Sequence, residues 1–436
     1  MQEPESATIL TLLLIHSAFL LFTFSLRSIS FLSFLLASLL LAVPAGAQTR
    51  ETVLVGIAVF NMAWAGTLDD FKRHVEVCSA PEVNWCASRA KARRGPRHLQ
   101  AEEASRAKRC QEATMEAAGG FQEMRMTVPC NAYSRRGAKN PSRVETAENY
   151  NAKLAGLRAT VENLIENENI KVIAFQEVKS REVVEHVLGR FAAEFETCAA
   201  PHTAFQTVAF AWKKAISLNE SRCTSNQDLA VSEGPEEEAL SYTVRPGLAL
   251  ELRINGEAVT FLNVHLKAGC ANLLKGRGFA GRKLTDPDPA CEILNRQVPI
   301  IENWIEEVAR QSPRFVLLGD FNRKIDEEEK AGIAETEVRT DGSDPASPNT
   351  RDAWGRVKSS YFWQEIADGF PGMYRIPDAP AGKGCGHEGL DHIVISDAIW
   401  KMQNLPLSSR KISLVKNPRQ SIKTSDHCPR AVVLEL

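Results

Sequence analysis

The sequence predicts a layered α/β protein, and three observations carry that expectation. Short apolar runs of strand type at residues 53–60, 170–175, 207–212 and 315–318 stop abruptly, at Asn61, Gln176, Lys213 and Gly319-Asp320. Segments of helical period lie between such runs, so helix and strand alternate along the chain. Between residues 248–254 and 258–266 the pair Asn255-Gly256 is a strong signal for a tight hairpin. The 436 residues suffice for one large core or two domains. A charged fraction of 24% is ordinary for a globular chain, and the formal net charge of −2 points to no particular partner.

The N-terminus stands apart from the fold. Residues 9–45 are largely apolar with Arg27 in their middle. Arg27 supplies a positive n-region, 31–43 an apolar h-region, and Ala45-Gly46-Ala47 a small-residue cleavage site. Residues 1–47 are therefore expected to be a signal peptide or N-terminal hydrophobic segment, and 48–436 the folded domain. Cleavage before Gln48 gives a secreted or periplasmic protein; without it, a spanning helix among the first 26 residues would anchor the chain in a membrane. Ten cysteines fit export: none lies in the signal, no CxxC zinc pattern occurs, and an even count suggests disulfides. Cys78, Cys86, Cys110 and Cys130 crowd one segment, and Cys270 and Cys291 flank one loop. Cys385 and Cys428 lie near strands, where a buried thiol is the alternative for Cys428.

In chain order, the first strand ends at Asn61-Met62-Ala63-Trp64. Residues 70–143 then differ in composition, with four cysteines and a basic cluster that includes Arg93, Arg94 and Arg97. They read as a disulfide-stapled, partly helical insertion. The cluster could lie along phosphates; the bland alternative is a solvated face balanced by Glu102, Glu103, Glu112 and Glu116. Residues 145–168 form an amphipathic helix with Leu154, Leu157, Val161, Leu164 and Ile165 at helical spacing. The next strand ends in Gln176-Glu177-Val178, residues 181–195 are expected to be helical, and the acidic 233–238 are a loop. The returning hairpin strand carries Asn263 and His265 on one face. Residues 268–290 are a loop pinned by Cys270 and Cys291, and 293–309 a helix. The apolar run at 315–318 then delivers Gly319-Asp320-Phe321-Asn322; in an extended chain Asp320 and Asn322 share a side. Residues 326–349 read as a loop with a little helix, 391–395 and 431–436 as strands, and Ser425-Asp426-His427 precedes the last.

Strand ends thus carry Asn61, Glu177, His265, Asp320 with Asn322, Asp391, and Asp426 with His427. Singly, each has a turn-forming explanation. Together they are a chemical set: carboxylates for a hard divalent cation, amides for phosphate oxygens, and two histidines for proton transfer or charge stabilisation.

These motifs, NMAW, FQEV, NVHL, GDFN, LDHIVIS and SDHCP, resemble those of the endonuclease/exonuclease/phosphatase superfamily in kind and order, and they span nearly the whole mature chain. The resemblance does not cover the basic insertion. It implies a four-layer α/β sandwich of two mixed β-sheets flanked by helices. It also implies a metal held by Glu177 with Asn61 and Asp426 nearby, Mg2+ first and Mn2+ or Ca2+ as alternatives. Asp320 would orient or deprotonate water, Asn322 would hold the phosphate, and His427 would act as base or transition-state stabiliser oriented by Asp391. His265 would contact the phosphate or protonate the leaving group. Within that family, Asn-Val-His argues against the abasic-site branch. Export, disulfides and the insertion favour a secreted endonuclease acting on DNA, as a monomer with no protein partner implied. A sphingomyelinase or an inositol or lipid phosphatase is the alternative.

Overall fold

The computed structural model describes residues 52–80, 83, 97–130, 132–133, 145–217, 220–232, 243–275, 281–331, 361–367, 370–379, 389–415 and 422–436. The signal or anchor segment, Arg93, Arg94 and the acidic 233–238 lie outside them. Residues Val53–Leu436 form one unit. Its strands are β1 (Leu54–Ala65), β2 (Ile170–Val178), β3 (Phe195–Ala199), β4 (Thr207–Lys213), β5 (Ser221–Asn226), β6 (Gly247–Ile254), β7 (Glu257–His265), β8 (Phe315–Asp320), β9 (Met373–Arg375), β10 (Asp391–Ser396), β11 (Arg410–Lys411) and β12 (Arg430–Glu435). The helices are α1 (Leu68–Cys78), α2 (Arg97–Ala118), α3 (Phe121–Arg125), α4 (Ala147–Glu166), α5 (Arg181–Leu188), α6 (Pro289–Gln311), α7 (Ile325–Ala331), α8 (Trp363–Ala367) and α9 (Asp397–Trp400).

Two mixed six-stranded sheets result, in the orders β11-β12-β1-β2-β4-β3 and β5-β6-β7-β8-β10-β9. Pairs β1/β2 and β7/β8 are parallel and their neighbours antiparallel. Strand alternation sorts side chains into layers. Val55, Ile57 and Val59 of β1 meet Leu250, Phe261, Val316 and Ile393 of the other sheet in a core between the sheets. The opposite face of β1, with Ala58, Phe60 and Met62, packs on Leu154, Leu157 and Val161 of α4 and Val184 of α5. Leu262, Val264 and Leu317 of the second sheet pack on Leu294, Val298 and Ile301 of α6. The order helix, sheet, sheet, helix is the four-layer sandwich.

Local chemistry explains the boundaries. Thr146 caps α4 by accepting from the Asn149 amide, and all five apolar positions expected on its inner face are buried. Asp288 caps α6, with Pro289 in the first turn. Asn255 and Gly256 turn the β6–β7 hairpin at φ 51° and 80°. The expected helix over 181–195 stops at Leu188, continues as a 3-10 turn over Gly189–Glu194, and gives way to β3 at Phe195. Strand β5, with the polar sequence SRCTSN, escaped the apolar signal because it is an edge strand paired only to β6 among the described residues. Disulfides join Cys78 to Cys130, Cys198 to Cys223, and Cys270 to Cys291. Cys110 and Cys428 are disulfide-bonded too, so Cys428 is no free thiol. These bonds fit an oxidising compartment. No helix among the described residues is long and apolar enough to cross a membrane.

One buried polar staple ties the sheets together. Asn263 of β7 donates from Nδ2 to the carbonyls of Phe175 (3.0 Å) and Ala209 (2.9 Å), and its Oδ1 accepts from Gln176 Nε2 at 2.7 Å. Asn263→Leu removes three buried hydrogen bonds and leaves Gln176 Nε2 only the Ala174 carbonyl at 3.2 Å. It is expected to lower stability by about 2–3 kcal/mol, read as a lower urea midpoint at unchanged slope; an unchanged midpoint would show that the staple contributes nothing.

Candidate active site

The register of the second sheet brings its polar strand ends into one row. His265 at the end of β7 lies beside Asp320 at the end of β8, and Asp320 lies opposite Asp391 at the start of β10. Gly319 makes this close approach possible: it sits at φ 143°, and a Cβ there would stand 2.0 Å from the Val264 carbonyl oxygen. From the first sheet come Asn61 and Glu177, and from the loop before β12 come Asp426 and His427.

Asn61 Nδ2 donates to Asp320 Oδ2 across the sandwich at 3.0 Å. Asn61 does not end its strand, as the apolar run suggested; β1 continues to Ala65 through a register shift opposite β2. The Asn61 Oδ1 accepts the Ala63 amide at 2.9 Å, and the Trp64 amide donates to Glu177 Oε2 at 3.1 Å. His265 Nε2 is 3.7 Å from both Glu177 Oε1 and Asp320 Oδ2. His427 Nδ1 lies 2.7 Å from Asp391 Oδ2, and its Nε2 lies 3.8 Å from Asp320 Oδ2. Ser425 fixes the loop by donating to the Asn61 carbonyl at 2.7 Å while accepting the His427 amide at 3.0 Å.

Asn322 departs from the extended conformation that would place it beside Asp320 by alternation. It lies beyond β8 at φ 50°, its amide donating to Asp320 Oδ1 at 2.9 Å and its Nδ2 to the Leu266 carbonyl at 3.0 Å. Six non-glycine residues among those described have left-handed backbone: Ala63, Trp64, Asn169, Glu177, Asn255 and Asn322. Asn169 and Asn255 are turn asparagines, which tolerate this region. The other four surround the site, so backbone strain concentrates where the polar groups are aimed.

Burial sets the electrostatics. It raises the Glu177 carboxyl, and the nearby Asp426 charge adds to the effect. It pushes Asp320 up to about 7, against the charge of His427. Burial pulls His427 down, yet the Asp391 carboxylate and its hydrogen bond more than offset this and raise the ring to about 10. His265 goes the other way, held well below its ordinary value by burial and then by Arg245. One imidazole is therefore cationic and the other neutral at neutral pH. His265 Nδ1 and Asp391 Oδ1 are buried with no hydrogen-bond partner among the described residues.

Asp320, Asp391 and His427 offer ligand atoms within 4.8 Å of one another, a buried group able to hold a metal ion. Glu177, with Asp426 acting on it, is a second set of hard oxygen donors. Arg97 opens α2, and its side chain, like Arg93 and Arg94, lies outside what the structure describes. Two groups at the site went unread in the sequence. Arg245 donates from Nε to the His265 carbonyl at 3.1 Å, and Lys153 lies buried with its Nζ on the carbonyl of Met62, the residue after Asn61. Lys153 sits at the helical spacing of the apolar face of α4, the one signal that could have marked it.

No protein-family model matches the sequence, and no curated protein does. Solved structures resemble the fold. An endonuclease/exonuclease/phosphatase from Bacteroides vulgatus is 13% identical, with 88% of this chain and 99% of that one covered, at a TM-score of 0.41. Truncated Caenorhabditis elegans TDP2 is 13% identical, with 65% and 92% covered, at 0.38. D. rerio TDP2 complexed with single strand DNA product is 11% identical, with 65% and 93% covered, at 0.36. At these scores and identities the likenesses carry no weight for function, which rests on the residues of the site.

Asp391→Asn should lower the His427 pKa, because burial is then opposed only by the charges of Asp320 and Asp426. The imidazole nitrogens of His427 in an NMR titration would report this. Titration unchanged from the parent would show that Asp391 does not hold the proton.

Proposed function

We propose that this chain is a secreted, divalent-metal-dependent phosphodiesterase, and that its substrate is DNA cut internally. The observation that carries the reading is the pairing of His427 with Asp391 at 2.7 Å while its other nitrogen faces Asp320, itself held by Asn61 and the Asn322 amide. A cationic donor and a carboxylate of near-neutral pKa stand side by side, which suits general acid–base attack on an ester.

The donor set fits a hard cation. Glu177 and Asp426 supply carboxylate oxygens, and the burial and repulsion that raise Glu177 are a cost that a divalent cation would lift. Glu177 and Asp426 would hold Mg2+, or Mn2+ or Ca2+ in its place. Asn61 stands beside them with its amide nitrogen committed to Asp320. Such an ion would supply charge neutralisation of a phosphoryl oxygen. The chain's own groups do the rest. Asp320 orients the attacking water and takes its proton. The water oxygen bonds to phosphorus as the ester oxygen leaves with the bonding pair. His427, kept protonated by Asp391, donates to the oxygen on which charge builds. The second Nδ2 hydrogen of Asn322 and the Nε2 side of His265, which faces the site carboxylates, position the phosphate.

DNA is favoured by the basic insertion and by the disulfides, which suit an extracellular enzyme. A sphingomyelinase or an inositol or lipid phosphatase would use the same site chemistry. The exposed Arg106, Lys108 and Arg109 on α2 extend the basic character of the insertion.

The chain from Gln48 onward should nick and linearise supercoiled plasmid with Mg2+, and EDTA should abolish this. Asp320→Ala should lower the rate about 10²–10⁴-fold with little change in thermal midpoint. Plasmid left intact while sphingomyelin or an inositol phosphate is hydrolysed would overturn the substrate; Asp320→Ala as active as the parent would overturn the site. Charge reversal of Arg93, Arg94 and Arg97 should weaken DNA binding and flatten its logarithmic salt dependence by about 0.9 per lost phosphate contact. An unchanged slope in a filter-binding series would mean that the cluster is only solvated.

A further inference from the structure

A buried lysine next to the site has no part in the chemistry above. Lys153 of α4 is 1% exposed. Its Nζ donates to the Met62 carbonyl at 2.9 Å and to the Thr424 carbonyl at 2.6 Å. Met62 follows Asn61, and Thr424 is two residues before Asp426, so one ammonium spans the backbones of both segments that frame the site. A buried charge is retained at a cost unless its surroundings use it. Here the two carbonyls accept from its nitrogen, while burial pulls the Lys153 pKa down to about 7 against the charges of Asp426 and Glu177.

A second, independent feature lies one turn along the same helix. A Cβ at Gly156 would stand 2.7 Å from Thr424 Oγ1 and 3.1 Å from its Cγ2. The missing side chain lets the Thr424 loop sit directly on α4, within reach of Lys153. Ser425 then donates to the Asn61 carbonyl and accepts the His427 amide, carrying that placement into the site.

We propose that Lys153 is a positioning residue. With Gly156 it seats the loop carrying Asp426 and His427 against the strand carrying Asn61, and so presets the cation-binding carboxylates. This rests on the phosphodiesterase reading above for the presence of a cation, but its test does not depend on activity. The sign of the effect is diagnostic. Removing a partly protonated amine beside Glu177 and Asp426 would by electrostatics alone strengthen cation binding or leave it unchanged. Loss of positioning weakens it instead.

The experiment is calorimetric titration of the chain from Gln48 onward with MnCl2. Lys153→Met should weaken Mn2+ binding by about tenfold or more, the scale of lost outer-shell support. Gly156→Ala keeps Lys153 but crowds Thr424, and should weaken binding about tenfold, the low end of lost outer-shell support; adding Thr424→Ala in the same chain should restore most of it. Tighter or equal binding in a folded Lys153→Met, or Gly156→Ala binding like the parent, would overturn the proposal. Should Lys153→Met fail to fold, the Gly156→Ala pair decides alone. A parent chain that binds no Mn2+ would instead sink the metal-dependent reading itself.

Discussion

The hydrogen bond from Asn61 to Asp320 is the contact on which the site depends, because it joins the two sheets at the rim where every other functional group converges. A carboxylate as buried as Asp320 needs donors. Its own strand cannot supply enough of them: the Asn322 amide serves one oxygen, and the opposite sheet must serve the other. That requirement aligns Asn61 with Asp320 at this edge of the sandwich. The apolar core and the staple at Asn263, two residues deeper along β7, hold the same two sheets together. The left-handed backbone at Ala63, Trp64, Glu177 and Asn322 is the local consequence, since straight strands would not aim these groups at one point.

Within the cluster, two arrangements compete for the same atoms. Asp320, Asp391 and His427 are close enough to share an ion, yet Asp391 Oδ2 is already engaged with His427 Nδ1 at 2.7 Å. An ion there would have to displace a charge-assisted hydrogen bond. In the proposed reading Glu177 makes the better cradle: burial and Asp426 destabilise its charge, and a cation would add to the relief that the Trp64 amide, Asn61, His427 and Arg245 give it. The proposed division into a cation side and a proton-transfer side rests on that difference. Opposite shifts in the two histidines, His427 up and His265 down, express the same asymmetry.

Much of this was legible in the sequence because function and fold share a signal. An apolar run that stops at Asp, Glu, His or Asn marks both a buried strand and what it delivers, as at Asp320, Glu177 and His265. The helix carrying Leu154 and Leu157 was equally plain from its period. What escaped was set by tertiary context. Lys153 occupies a core position of that helix, where a lysine is ordinarily read as an exception on a solvent edge. Arg245 precedes a proline in an unremarkable stretch, and only the fold brings it to His265. The turn at Asn322 overrides strand alternation because the Asp320 side chain captures its amide. Edge strand β5 has no apolar face to announce it. Arg93 and Arg94 lie outside the described residues, so the reach of the insertion toward substrate rests on composition.

The measurement that tests the account most directly is anomalous diffraction from crystals of the Mn2+-loaded protein. The account predicts one manganese peak between Glu177 and Asp426, with the Asp391–His427 hydrogen bond intact. A peak instead among Asp320, Asp391 and His427, with the imidazole turned onto the metal, would contradict the separation of cation binding from proton transfer on which the mechanism stands.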